Sequence, residues 1–222
     1  MEIRLETVLG SAEVGLFALP TDRYVILSKE INPSKVRVFQ QVLKVDTILT
    51  SLADSILVAP FAAGNSNGLL LSKLVVDEEL KKIKAALPDL NIHRLDTKYT
   101  AVGNLILCND RGAVVSSLLG KNVAKVVADV LGTETVSSTV ANRSYVGSLV
   151  AATNVGALVF VDAEDDELKL VEDVLHVHVD TGTVNGGVLF PRSGIAANSS
   201  GAIVGALTTG PELMTISRVF QR

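Results

Sequence analysis

The sequence predicts an α/β protein: a five-fold pseudosymmetric propeller of five ββαβ-type repeats, each about 44 residues long, closed into a ring. Three observations carry that prediction. A polar turn followed by an apolar run, Gly64–Leu71 (GNSNGLLL), recurs as Asn109–Val115, Thr153–Val159 and Asn198–Val204. Its glycines, Gly68, Gly112, Gly156 and Gly201, are spaced by 44, 44 and 45 residues, and one step back lies Tyr24 in a similar stretch. Apolar residues recur after each turn at helical spacing. The N-terminal segment, finally, is in phase to complete the last repeat.

Each element follows from position zero, the repeat glycine or Tyr24. Before it run Val14–Leu19, Ile56–Ala63, Val102–Cys108, Tyr145–Ala152 and Val188–Ala197, and after it a second apolar stretch such as Val25–Leu27. Two short apolar runs joined by Asn, Asp, Ser and Gly read as a hairpin, with glycine at zero supplying a positive φ. Nine residues past zero stand Pro33, Asp77, Lys121, Asp165 and Gly210, the last followed by Pro211. Pro and Asp suit a helix start, where the first amides lack partners. Offsets 12, 15 and 19 hold fifteen apolar residues, from Val36, Phe39 and Leu43 in the first unit to Leu213, Ile216 and Phe220 in the fifth. That spacing puts them on one face, so each unit is expected to lay a helix on its own sheet. A third strand is expected about 22 residues past zero, at Asp46–Leu52, Leu90–Leu95, Glu134–Val140 and His178–Val184. The fifth unit would need it beyond the end, whereas residue 2 opens EIRLETVL in the right phase. The expectation is one ring domain over 1–222, with repeats near 14–54, 55–99, 100–143, 144–187 and 188–222 plus 1–13. Closure of this kind leaves few free sheet edges.

Composition narrows the function classes. Of 222 residues, 48% are hydrophobic and only 4% aromatic, so the core is aliphatic. A net charge of −4 argues against gripping nucleic acid through a broad basic face. One cysteine excludes an internal disulfide framework and suits a reducing cytoplasm. The N-terminus has no apolar signal-peptide segment, and runs such as Val146–Val161 are broken by Ser148, Thr153 and Asn154. A soluble, cytoplasmic protein is expected.

Chemistry-bearing residues are sparse. Gly120-Lys121 lacks the preceding glycine of a phosphate loop, and no G-x-G-x-x-G occurs. His176, His178 and Asp180 alternate and in a strand would share a face, which a metal could occupy, but the mixed residues at these offsets in the other units favour a solvated strand face. Cys108 sits where other units carry Pro20, Gly64, Ala152 and Ala197, which marks it as a small apolar filler rather than a nucleophile. The acidic run Asp162–Glu167 opens the fourth helix, where negative charge meets the positive dipole end. Eight residues before zero stand Leu16, Pro60, Asn104, Ser148 and Ser193, several of them after a small residue. In a ring these loops gather at one end, and loops on a rigid scaffold are where binding residues concentrate.

GNSNGLLL (Gly64–Leu71), AVGNLILCND (Ala101–Asp110), DVL (Asp129–Leu131) and TGTVNGG (Thr181–Gly187) together resemble the translation initiation factor 6 family, over nearly the whole length. The chain stops just after the fifth helix, like the archaeal members. The resemblance implies the pentein fold and a protein that binds the large ribosomal subunit on its intersubunit face. There it would block joining to the small subunit and serve subunit maturation. It implies no enzyme activity, cofactor, metal or membrane partner, and a monomer meeting basic ribosomal-protein surface, with ribosomal RNA secondary. Carried over residue by residue, the ribosome contacts are Asn104, Ser148, Leu149, Pro60 and Asn65. Here Leu149 stands where eukaryotic relatives tend to carry an aromatic residue, and Pro60 where they tend to carry a basic one. Two other readings share the fold: a guanidino-group-modifying enzyme, disfavoured because no Cys follows Cys108, and a scaffold for a non-ribosomal protein.

Overall fold

The structure, a computed structural model, describes residues 1–221. Five three-stranded sheets follow one another round an axis, and each is built alike. In the first, β2 (Ala18–Pro20) pairs antiparallel with β3 (Tyr24–Ser28), and β3 pairs parallel with β4 (Asp46–Thr50). The second holds β5 (Ala62–Gly64), β6 (Gly68–Ser72) and β7 (Asn91–Leu95), and the third β8 (Ile106–Cys108), β9 (Gly112–Ser116) and β10 (Glu134–Ser138). The fourth holds β11 (Val150–Ala152), β12 (Gly156–Val159) and β13 (His178–Thr181). In the fifth, β14 (Ile195–Ala197) and β15 (Gly201–Gly205) are completed by β1 (Glu2–Glu6) from the start of the chain, with Glu2 opposite Gly201. The short strands β2, β5, β8, β11 and β14 touch in sequence and back to the start, lining the axis. This is the pentein ring that the resemblance implies.

Between second and third strands run α1 (Pro33–Leu43), α2 (Asp77–Ala86), α3 (Gly120–Leu131), α4 (Asp165–Leu175) and, after the one-turn helix α5 (Pro191–Gly194), α6 (Gly210–Phe220). The residues at offset 15, Phe39, Ile83, Val127, Val171 and Ile216, are all buried. The helices do not, however, lie each on its own sheet alone. Each fills the wedge between its own sheet and the preceding one: α1 packs on β15 and β4, α4 on β9 and β13. Five aliphatic cores result, one per wedge; Val25, Leu27 and Phe39 share the first with Ala196 and Ile203, whereas Tyr24 and Ile26 face the second. Every second strand is therefore buried on both faces, which is why it reads as an uninterrupted apolar run.

That wedge also corrects the reading of the repeat glycines. Gly68, Gly112, Gly156 and Gly201 are absent from the residues with positive φ. They are glycine because the next unit's helix end presses on them. A Cβ would lie 2.0 Å from the Val130 carbonyl oxygen at Gly68, 1.9 Å from that of Val174 at Gly112, 2.0 Å from that of Val219 at Gly156 and 2.3 Å from that of Val42 at Gly201. Tyr24, in the one unit without the glycine, has Ala86 at the equivalent place in α2.

The third strands end in tight turns at Leu9-Gly10, Ala53-Asp54, Ala141-Asn142 and Asn185-Gly186, all at positive φ. Three are clamped by a glutamate of the next helix. Glu79 accepts from the amides of Ala53 (2.9 Å) and Asp54 (3.1 Å) and from its own helix start at Val76 (3.1 Å). Glu167 does the same for Ala141 and Asn142, and Glu212 for Gly186 and Gly187. Burial raises the Glu212 carboxyl, but the amide and hydroxyl donors around it win and hold it at about 2, and the Glu79 carboxyl is likewise lowered.

Candidate functional site

The axis has two unlike ends, set by the residues that flank the inner strands. At one end the polar turns before position zero interlock. The Asn109 oxygen accepts from the amides of Arg111 (2.9 Å) and Gly112 (3.0 Å), while its Nδ2 donates to the carbonyls of Thr153 (3.2 Å) and Leu175 (2.8 Å) in the next unit. Asn65 and Asn198 repeat this geometry, Asn65 bridging to Asn109 and Leu131 at 3.0 Å each. Thr21 and Thr153 occupy the remaining two positions and have no amide to donate across their seams. At the first of these the Tyr24 hydroxyl donates to the Gly68 carbonyl instead, at 3.4 Å. One residue on, Ser66, Asp110, Asn154, Asp22 and Ser199 form a chain of side-chain bonds: Ser66 Oγ donates to Asp110 (2.8 Å), Asn154 Nδ2 donates to both Asp110 and Asp22 (2.7 Å), and Ser199 Oγ donates to Asp22 (2.6 Å).

At the other end the first half of each predicted inner strand is a helical turn rather than extended chain: Val14–Phe17, Ala59–Phe61, Val102–Asn104, the turn at 146–148 and α5. These turns bring Leu16, Pro60, Asn104, Ser148 and Ser193 together around one cavity of about 240 Å³, joined by Phe190 and Arg192. Glycine at the preceding position permits the crowding. A Cβ on Gly103 would lie 1.8 Å from the Ala59 carbonyl oxygen, one on Gly147 2.2 Å from that of Gly103, and one on Gly15 2.0 Å from that of Arg192. Four units thus carry Gly15, Ala59, Gly103 and Gly147 there, and the fifth carries Arg192.

Three expected site residues, Pro60, Asn104 and Ser148, therefore meet at this mouth. Leu149 does not join them: it is fully buried in the fourth core, and a side chain without surface offers nothing to a partner. Asn65 lies at the opposite end, 2% exposed, with its amide committed to the neighbouring unit. Sequence reasoning missed Arg192 and Phe190. The signal for Arg192 was present, a lone charge at a position otherwise held by glycine or alanine.

Arg192 also borders a smaller axial cavity of about 40 Å³ that it shares with Cys108 and the small inner-strand residues. Among the described residues, no protein group forms a hydrogen bond or ion pair with its guanidinium, and burial disfavours its charge. Nor, among the described residues, does any group form a hydrogen bond with the Asn104 carboxamide. Next to this mouth, Phe190 packs against Phe160 and Tyr145 at centroid distances of 6.0 and 6.3 Å. Burial pushes the Cys108 thiol up to about 12, against a lesser opposing pull from Arg192, and Sγ donates to the Gly64 carbonyl at 3.4 Å. Burial of this kind favours the neutral thiol over the thiolate, the form that a nucleophile or a metal ligand needs. The alternating His176, His178 and Asp180 do not share a strand face: His176 ends α4 in a left-handed conformation, and Asp180 is paired with Arg218 at 2.5 Å. Among the described residues no helix is long and apolar enough to cross a membrane.

Known proteins place the chain. The family model described as eIF-6 family matches residues 3–219. Translation initiation factor 6 of Pyrococcus abyssi is 40% identical over 211 residues, 93% of each chain, and that of Pyrobaculum aerophilum 39% over 213 residues, 96% of each. Among solved structures, a dimethylarginine dimethylaminohydrolase variant in adduct with S-methyl-L-thiocitrulline matches with a TM-score of 0.47 and 12% identity, over 76% of this chain and 69% of that one. The chain belongs to the eIF-6 family of translation initiation factors.

Proposed function

We propose that the chain, as a cytoplasmic monomer, binds the large ribosomal subunit through the end of the axis where Pro60, Asn104 and Ser148 meet, and that it blocks joining to the small subunit by occupying the intersubunit face. Family membership supports the ribosomal partner. The single observation that selects the surface is the convergence of five equivalent loop residues around one mouth, with the Asn104 carboxamide without a partner among the described residues. The mechanism is steric. A ring braced by five wedged helices does not deform to let a second subunit pass, and it needs no bond-making chemistry. A chain of net charge −4 docks most favourably on basic ribosomal-protein surface, with RNA contact secondary.

Sedimentation of the purified protein with separated archaeal subunits through a sucrose gradient tests this reading. Co-migration with the large subunit alone, and loss of subunit joining in its presence, is the expected result. Failure to co-migrate at any salt or magnesium concentration would sink it.

A further inference from the structure

The mouth holds two hydrogen-bond donors that have no partner among the described residues. Arg192 lines both the 240 Å³ mouth and the 40 Å³ axial cavity, and Asn104 lines the mouth with it. An arginine buried without a counter-charge is costly to the fold, and an anion in the mouth would offset that cost. The carboxylate of Glu13, which accepts from the lining residue Ser193, is engaged by that hydroxyl and by Asn185 Nδ2 at 3.0 Å. The Cys108 thiol at the inner side is neutral and supplies no counter-charge.

We propose that this mouth is a receptor for one small oxyanion, a carboxylate above all, gripped by the guanidinium of Arg192 and the Nδ2 of Asn104. The planar fork of an arginine matches a carboxylate with two parallel bonds. Leu16, Pro60 and Phe190 give the cavity apolar walls suited to the carbon stem behind such a group, whereas a nucleic-acid strand would need a row of cations that a chain of net charge −4 does not gather here. Under the ribosomal role proposed above, on which this last step rests, the carboxylate is a side chain on a large-subunit protein. A free cytoplasmic carboxylate is the other source of the same chemistry.

The test begins with the protein alone, so its outcome is independent of whether the chain binds ribosomes. Acetate and sulfate are titrated at constant ionic strength, following the melting temperature and the NMR signal of the Arg192 Nε–H. Saturable binding is expected, with the melting temperature raised by ~3–6 °C at about ten times Kd. Arg192→Met abolishes both responses, and Asn104→Ala weakens Kd by about tenfold. No saturation in the wild-type protein, or equal saturation in either folded variant, overturns the proposal. Large-subunit binding then separates the sources. Competition by acetate, together with weakened binding of Arg192→Met, assigns the carboxylate to the partner; subunit binding indifferent to both assigns it to a free anion.

Discussion

The two ends of the axis use the same repeat for opposite purposes. At the turn end, Asn65, Asn109 and Asn198 spend their oxygens on their own turns and their Nδ2 donors on the seams between units, and Asp22, Asp110 and Asn154 link the loops above them. At the mouth, contact between units is made by backbone through Gly15, Gly103 and Gly147, which leaves the side chains of Asn104 and Arg192 uncommitted. Cohesion and recognition are thereby separated by the length of a three-residue strand. The two seams with Thr21 and Thr153 at the turn end are also those where Ala59 and Arg192 replace glycine at the mouth, so the ring is least uniform at the same two places on both ends.

The largest loss of stability is expected from the turn end. Asn109→Ala strands two carbonyls and two amides in a site only 5% exposed and is expected to cost ~3–5 kcal/mol in urea unfolding. A cost below ~1 kcal/mol would mean that the seams are held by the helix wedges alone. Next comes the glutamate clamp. The Glu212 carboxyl sits at about 2, below its ordinary 4.5, so its contribution is complete above pH ~4.5 and is lost as pH falls toward 2. Discounted for partial exposure, that loss is roughly 2 kcal/mol, and Glu212→Gln should flatten the stability-against-pH curve in this window. An unchanged curve would place the acid lability elsewhere, with Glu79 the next candidate. At the seam bridged by Tyr24, the Gly68 carbonyl also accepts from the Asn65 amide at 3.0 Å, so Tyr24→Phe leaves it satisfied. A cost of about 0.5–1 kcal/mol is expected there, and calorimetry would read it. Smallest in stability is Asn104→Arg at the mouth, within ~0.5 kcal/mol of wild type. Its effect is on large-subunit binding in the sucrose gradient, expected to weaken at least about tenfold, roughly 1.4 kcal/mol. Normal binding by this variant would remove Asn104 from the contact surface.

Much of the architecture was legible because it is written five times. The fifteen helix-face residues, the five helix starts and the phase of Glu2–Glu6 with the last unit all describe positions relative to one another along the chain, which a period fixes. What the period does not say is which neighbour an apolar face meets. The offset-15 residues declare a buried face, yet not that Phe39 packs against Ile203 of the fifth unit as well as against its own strand. Gly112 is ambiguous for a similar reason: a glycine needed for positive φ and one needed for a carbonyl 1.9 Å from its missing Cβ look identical in sequence. At the site, the recurring position eight before zero led to Pro60, Asn104 and Ser148. Leu149, one residue further, turns inward as the helical turn gives way to the strand, and a one-residue change of facing cannot be read from a loop.

The pairing of Glu2–Glu6 with Gly201–Gly205 sets a schedule for the molecule's own birth. The opening strand has its partner made roughly 200 residues later, and so distant a contact is the slowest kind to form. Units one to four can fold as they emerge from the ribosome, but the clasp cannot shut until Gly201–Gly205 has been synthesised. A nascent copy therefore presents a ring with an open joint until its fifth sheet has been made.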